Sequence, residues 1–178
     1  MMHASRTVIN RAKKIKLLIL DVDGVLTDGR IIYDSQGREL KFFDVRDGMG
    51  VHLLNLAGIK TVLLTAKGSR SIHPRARDMQ VEALYEDAVP KFKIYAQLLK
   101  RFRLKDEEVC VMGDDLVDLA PMSKAGLAIS VPGACAPIQE VSHYCTKRVG
   151  GRGAVRETAE LILKAQGQWK RLVDIYRK

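Results

Sequence analysis

The stretch Leu17-Leu18-Ile19-Leu20-Asp21-Val22-Asp23-Gly24-Val25-Leu26-Thr27 decides the fold. It opens on a continuous apolar run of strand length, the pattern of a strand buried on both faces in a parallel sheet. The run stops at two carboxylates, Asp21 and Asp23, followed at once by Gly24. Charges that follow such a strand lie at its C-terminal edge, where open α/β sheets bind ligands. Carboxylates gathered there repel one another unless a cation or a proton compensates them, so the pattern points to chemistry.

The same pattern returns downstream. Val109-Cys110-Val111-Met112 leads into Gly113-Asp114-Asp115, with Asp118 beyond. Two buried strands thus deliver acids to one edge, and hard oxygen donors of this kind suit Mg²⁺, which keeps waters and binds substrate phosphate. Between them, Leu63-Leu64-Thr65 ends a third apolar strand on a hydroxyl, and Lys91, after Pro90, opens a helical stretch to Phe102 with its apolar residues on one face.

Around these anchors, strands are expected over Lys16 to Leu20, Lys60 to Leu64, Val81 to Tyr85, Val109 to Met112 and Leu127 to Val131. Helices are expected over Gly48 to Leu56, Ser69 to Met79, Leu116 to Ser123 and from about Val155 towards the end. Arg30 to Tyr33 and Glu39 to Phe43 bracket the turn residues Asp34-Ser35-Gln36-Gly37 and read as a β-hairpin. Strand and helix in alternation give an α/β fold, a three-layer α/β/α sandwich around a mainly parallel sheet.

The chain has 178 residues, 47% of them hydrophobic, which suits one domain (1–178) with a full core. No apolar stretch approaches the roughly 20 residues of a membrane span. The basic N-terminal segment lacks the apolar centre of a secretory signal, and residues 1–14 are expected to be flexible. The three cysteines have no zinc spacing, so a reduced, cytoplasmic protein is expected. The net charge of +9 is scattered over the whole chain and aromatic residues make up only 6%. That argues against nucleic acid and for solvated faces and attraction of an anionic substrate.

Four elements in order, Asp21 to Thr27, Thr65, Lys91 and Gly113-Asp114-Asp115 with Asp118, resemble the signature of the haloacid dehalogenase (HAD) phosphatase superfamily. The resemblance implies a Rossmann-like core. The first gap holds only the hairpin and the second only a short helix and strand, so the match is to the capless branch, in which a neighbouring subunit covers the site and the hairpin helps assemble a homotetramer. Phe43-Asp44-Val45-Arg46-Asp47-Gly48 and Gly150-Gly151-Arg152-Gly153-Ala154-Val155-Arg156-Glu157 narrow it further. They resemble phosphatases of 3-deoxy-2-keto sugar acid phosphates, with the octulosonate 8-phosphate favoured. The alternatives are a nonulosonate 9-phosphate, a looser set of sugar phosphates, or a catalytically weak oligomeric module.

What the resemblance implies is hydrolysis through an aspartyl-phosphate. Asp21 is the nucleophile, Asp23 the general acid and base, Thr65 and Lys91 the groups on the transferring phosphoryl. Mg²⁺ is held by Asp21, Asp114 and the backbone carbonyl of Asp23. Asp115 and Asp118 act behind them or cap the next helix. The substrate set is Asp23, Asp44, Val45, Arg46, Asp47, Gly48, His52, Lys67, Arg75, Lys91 and Arg152, with Arg75 contributed across a subunit interface and Arg152 near a neighbour's site. Plain alternatives stand beside these: an ion pair for Arg46 and Asp47, a packed histidine for His52, a solvated charge for Arg75, a simple loop for Gly150 to Gly153. Thr65-Ala66-Lys67 departs from the family's Thr-Gly-Arg, a point charge replacing a planar guanidinium. His52 stands where the family has an arginine.

Overall fold

The computed structural model describes residues 4–177. Six strands, β1 (Leu17–Leu20), β4 (Lys60–Leu64), β5 (Ala83–Tyr85), β6 (Val109–Gly113), β7 (Leu127–Ser130) and β8 (Tyr144–Cys145), form one sheet in the order β5-β4-β1-β6-β7-β8. Every neighbouring pair is parallel. A separate antiparallel pair, β2 (Ile32–Tyr33) and β3 (Glu39–Leu40), is the expected hairpin, with Ile32 opposite Leu40. Asp34 organises its turn, accepting from the amides of Gln36 and Arg38.

Alternation along the strands divides the core between two helical layers. Leu18, Leu20, Leu63, Cys110 and Met112 face one layer, built from α1 (Arg6–Ala12), α2 (Val45–Leu56), α3 (Ile72–Asp78), α7 (Ala154–Ala165) and α8 (Trp169–Ile175). Leu17, Ile19, Val62, Leu64 and Val111 face the other, built from α4 (Lys91–Phe102), α5 (Leu119–Lys124) and α6 (Ala136–Val141). The three-layer architecture expected from the sequence is therefore present, and no cap is evident among the described residues. In the first layer Gly50 lets α2 lie directly on α7, since a Cβ there would stand 2.9 Å from the Arg156 Cα.

Several expectations need correction. The segment expected to be flexible over 1–14 contains α1; Ser5 caps it by accepting from the Val8 amide, and Val8 and Ala12 are buried. Residues 1–3 lie outside the described residues. Helix α2 begins at Val45 rather than Gly48, because the Asp44 carboxylate accepts from the Arg46 amide and starts the helix early. The helix begun at Ala154 breaks at Gly167, where φ is +70°, and α8 follows. Elements α6 and β8 were not expected.

The chain enters the sheet at its middle. From β1 it moves to β4 and β5 on one side, then returns to β6, β7 and β8 on the other. The reversal lies at β1, and a crevice opens beyond the carboxyl ends of β1, β4 and β6. Asp21, Thr65 and Asp114 are each the first residue after one of these strands.

Candidate active site

A cleft of about 220 Å³ lies at that switch point, lined by Asp21, Asp23, Gly29, Thr65, Ala66, Lys67, Asp114, Asp115 and Val117. Carboxylate oxygens of Asp21, Asp114 and Asp118 lie within 4.8 Å of one another. Beneath them Lys91, 2% exposed, places its ammonium 2.7 Å from Asp21 Oδ1 and 2.6 Å from Asp118 Oδ1. The other oxygen of Asp118 accepts from the Asp114 amide. Asp118 thus spends both oxygens aiming Lys91 and the loop that carries Asp114.

The electrostatics are those of crowded acids. Burial, then the neighbouring Asp118, pushes Asp21 up to about 8 despite the opposing pull of Lys91. Burial, with Asp118 and Asp115, pushes Asp114 up to about 6. Burial also raises Asp118 above the usual carboxylate range. Burial pulls Lys91 down, but Asp21 and Asp118 outweigh it and hold the ammonium above its ordinary range. Asp114 Oδ1 is buried with no hydrogen-bond partner. An orphaned carboxylate oxygen beside two further acids is costly unless a cation completes the group, so the donor set fits a hard divalent ion such as Mg²⁺.

Glycines make the crowding possible. Gly24 has φ +86°, and a Cβ on it would stand 2.0 Å from Asp114 Oδ2. Gly150 sits against the same loop, where a Cβ would overlap the Gly24 carbonyl oxygen at 1.8 Å, and the Gly151 amide donates to the Val25 carbonyl. The Gly150 to Gly153 stretch is therefore a brace for the Asp21–Thr27 loop of its own chain. Thr27 closes that loop by accepting from the amides of Gly24 and Gly29. The Thr65 hydroxyl, 1% exposed, donates to the Lys67 carbonyl and accepts from the Lys67 amide.

The residues expected to hold substrate separate into two neighbourhoods. Asp23, Lys67 and, below them, Lys91 belong to the cleft. The others, apart from His52 farther along α2, gather where α2 and α7 begin. Asp44 caps α2 and pairs with Arg46 through Oδ2. Arg46 also donates to the Arg152 carbonyl and lines a second cavity of about 540 Å³ with Lys147, Arg148 and Arg156. Asp47 is fully buried and accepts from the amides of Gly153 and Arg156, so it caps α7. Burial raises it, though those amides oppose the shift. Arg75 packs over the Phe43 ring beside Gly48 and donates to the Asp44 carbonyl. Val45 is 80% exposed, and His52 is half-buried on α2. Neither they nor Arg75 and Arg152 line the cleft of their own chain.

Two residues escaped the sequence reading. Lys41 and Glu39, on the return arm of the hairpin, point back towards the cleft: the Lys41 ammonium lies 2.5 Å from Asp23 Oδ1 and 2.8 Å from Glu39 Oε1. The available signal was the two-residue period of an extended arm, which places Glu39 and Lys41 on one face.

Comparison with known proteins agrees with this geometry. No protein-family model matches the chain. It is 42% identical over 159 residues to the 3-deoxy-D-manno-octulosonate 8-phosphate phosphatase of Yersinia pestis, covering 89% of this chain and 85% of that one. A probable YrbI family phosphatase from Pseudomonas syringae superimposes with a TM-score of 0.95 at 36% identity, covering 98% of this chain and 99% of the other. The octulosonate 8-phosphate phosphatase of Moraxella catarrhalis, solved with magnesium ion, phosphate ion and KDO, superimposes with a TM-score of 0.94 at 38% identity, covering 97% and 99%. With its acids at the switch point and its relatives matched almost end to end, the chain belongs to the 3-deoxy-D-manno-octulosonate 8-phosphate phosphatase family of the HAD superfamily.

Proposed function

We propose that the protein is a Mg²⁺-dependent phosphomonoesterase acting on 3-deoxy-D-manno-octulosonate 8-phosphate, and that all of 1–178 serves as one catalytic domain. The observation that carries the reading is the group of Asp21, Asp114 and Asp118, the first and last buried and Asp114 half-buried, with its orphaned oxygen and its lysine. Asp21 and Asp114, with the Asp23 carbonyl, would hold Mg²⁺. When bound, the ion offsets the repulsion between substrate phosphate and carboxylates.

In this reading an Asp21 oxygen attacks phosphorus, and the bond from phosphorus to the sugar oxygen breaks. Asp23 gives its proton to that departing oxygen. Asp23 then takes a proton from the water that attacks the phosphorus of the aspartyl-phosphate, which restores Asp21 and releases phosphate. The Thr65 hydroxyl turns from the Lys67 carbonyl to a phosphoryl oxygen, and the Lys91 ammonium balances the charge. Phosphoryl transfer asks chiefly for such positioning and compensation.

A homotetramer belongs to the same reading. The hairpin and its exit present Ile31, Tyr33, Leu40, Phe42 and Val45 to solvent, a run of exposed apolar side chains suited to another copy. Arg152, absent from its own cleft, is then available to a neighbour's, whereas Arg75 would have to leave the Phe43 ring and the Asp44 carbonyl to reach one. A cytoplasmic setting fits the free thiols of Cys110, Cys135 and Cys145. A nonulosonate 9-phosphate is the second reading, kept open because Lys67 stands at the position of the family's arginine and the two cations grip a carboxylate differently. The test is phosphate release from eight- and nine-carbon sugar-acid phosphates against simple sugar phosphates, with and without Mg²⁺. A preference for the simple sugar phosphates would reject both sugar-acid readings.

A further inference from the structure

We propose that Lys41 is a positioning residue for the proton transfer, holding the Asp23 carboxyl in the orientation from which it serves the leaving sugar oxygen. The inference rests on the phosphatase reading and extends it to the hairpin.

The return arm of the hairpin keeps its alternation past β3. Leu40 and Phe42 are 43% and 66% exposed, whereas the Lys41 side chain is 1% exposed. Lysine rarely occupies such a position unless paired. Burying an ammonium costs several kcal/mol, recovered only with good geometry to counter-charges. Here the counter-charges are Asp23, which accepts a hydrogen bond from the ammonium, and Glu39, whose Oε1 lies 2.8 Å away as a charge neighbour without hydrogen-bond alignment.

Among the described residues Lys41 is the only group that hydrogen-bonds the Asp23 carboxylate, and it takes Oδ1 alone. Oδ2 is left for the proton. A carboxyl on a loop rotates about two bonds, and misplacement by about 1 Å can cost about 10²-fold in rate. One strong contact to one oxygen removes that freedom. The anchor is itself anchored: Glu39 pairs through Oε2 with Lys67 at 3.3 Å, and the Ser71 hydroxyl donates to the Glu39 carbonyl. The hairpin therefore reaches the chemistry through a chain of charges that also includes a residue lining the cleft.

The test compares leaving groups. Protonation matters for an alkoxide and is unnecessary for p-nitrophenolate, so the full-length protein with Mg²⁺ is assayed on the octulosonate 8-phosphate and on p-nitrophenyl phosphate. Lys41→Met is expected to lower kcat/KM on the sugar phosphate about 10²-fold and on the aryl phosphate no more than about threefold, the difference being general-acid assistance. Lys41→Arg, which keeps a cation, is expected to recover about tenfold of the loss. Equal losses on both substrates, or none on either, would overturn the proposal. Thermal melts show whether Lys41→Met folds. If it does not, Glu39→Gln carries the same comparison, with an expected shift of about tenfold in the substrate ratio; an unchanged ratio would overturn it. Wild-type protein that hydrolyses neither compound counts against the phosphatase reading, and this inference falls with it.

Discussion

Gly24 and Asp114 compete for one small volume. They follow different strands, yet a Cβ on Gly24 would lie 2.0 Å from Asp114 Oδ2 and 2.5 Å from its Cγ. The absence of a side chain in the first acidic loop is what admits the third acid. Gly24→Ala is therefore expected to reduce phosphate release by about 10²-fold, the scale for a displacement of about 1 Å in a reacting group. It also places a side chain at φ +86°, a strain of about 1–2 kcal/mol. Steady-state kinetics and urea unfolding on the same preparation separate the two effects.

Acids collected for a cation are a burden without one. Asp114→Asn removes a charge whose Oδ1 is buried and unpartnered. The metal-free variant is expected to melt a few degrees above metal-free wild type, by about 1 kcal/mol, while losing Mg²⁺-dependent hydrolysis. Mg²⁺ should raise the melting temperature of wild type and not of the variant. EDTA should bring wild type back. A variant that melts lower and still responds to Mg²⁺ contradicts the assignment of Asp114.

Lys91 is the reverse case. Its ammonium separates Asp21 from Asp118. Lys91→Met leaves two buried acids facing each other, and breaking a buried pair in this way costs about 3 kcal/mol. Both folding free energy and turnover should fall, whereas Asp21→Asn should abolish turnover with the fold intact. Circular dichroism melts with phosphate assays check the pair.

Asp47 lies in the segment expected to bind substrate, but its carboxylate is committed to the amides of Gly153 and Arg156. Asp47→Ala is expected to cost about 1–2 kcal/mol, as for a lost helix cap. KM should stay close to wild type. A large rise in KM with unchanged stability would restore the substrate role.

His143 supplies a pH dependence remote from the acids. Its Nδ1 accepts from the Ala128 amide, and burial, with Arg11 nearby, lowers it below 6.5. On acidification the unfolded chain takes the proton first. Stability from this group is thus complete above 6.5 and is lost as pH falls from there towards the lower folded value. His143→Gln should shrink the change in urea midpoint between about pH 7.5 and about pH 5. An identical change in both proteins would show that this imidazole is not responsible.

The sequence is most legible where function is tied to secondary structure. Asp21, Thr65 and Asp114 could be placed because each ends an apolar run, and an apolar run of that length has one natural home, the centre of a parallel sheet. Helix α4 was clear for the same reason, its apolar face being periodic over the full span from Lys91 to Phe102. Helix α1 was obscured because it buries only Val8 and Ala12 among basic neighbours. Lys41 gives no signal in the sequence because a lysine in a hairpin is ordinarily solvated, and only the folded structure shows which carboxylates surround it. The start of α2 was hidden by Gly48, which reads as a helix boundary, while Asp44 had already capped the helix.

The brace that Gly150 and Gly151 give the first acidic loop bears on how the enzyme comes into being during translation. Asp21 leaves the ribosome well before the backbone that props its loop and the helix behind that backbone, which emerge more than a hundred residues later. A nascent chain that has completed its acids still lacks the wedge against Gly24. The propped form of the loop therefore waits until Gly150 and Gly151 have been made, and a ribosome stalled before them would hold a chain that has its acids but not the backbone that braces them.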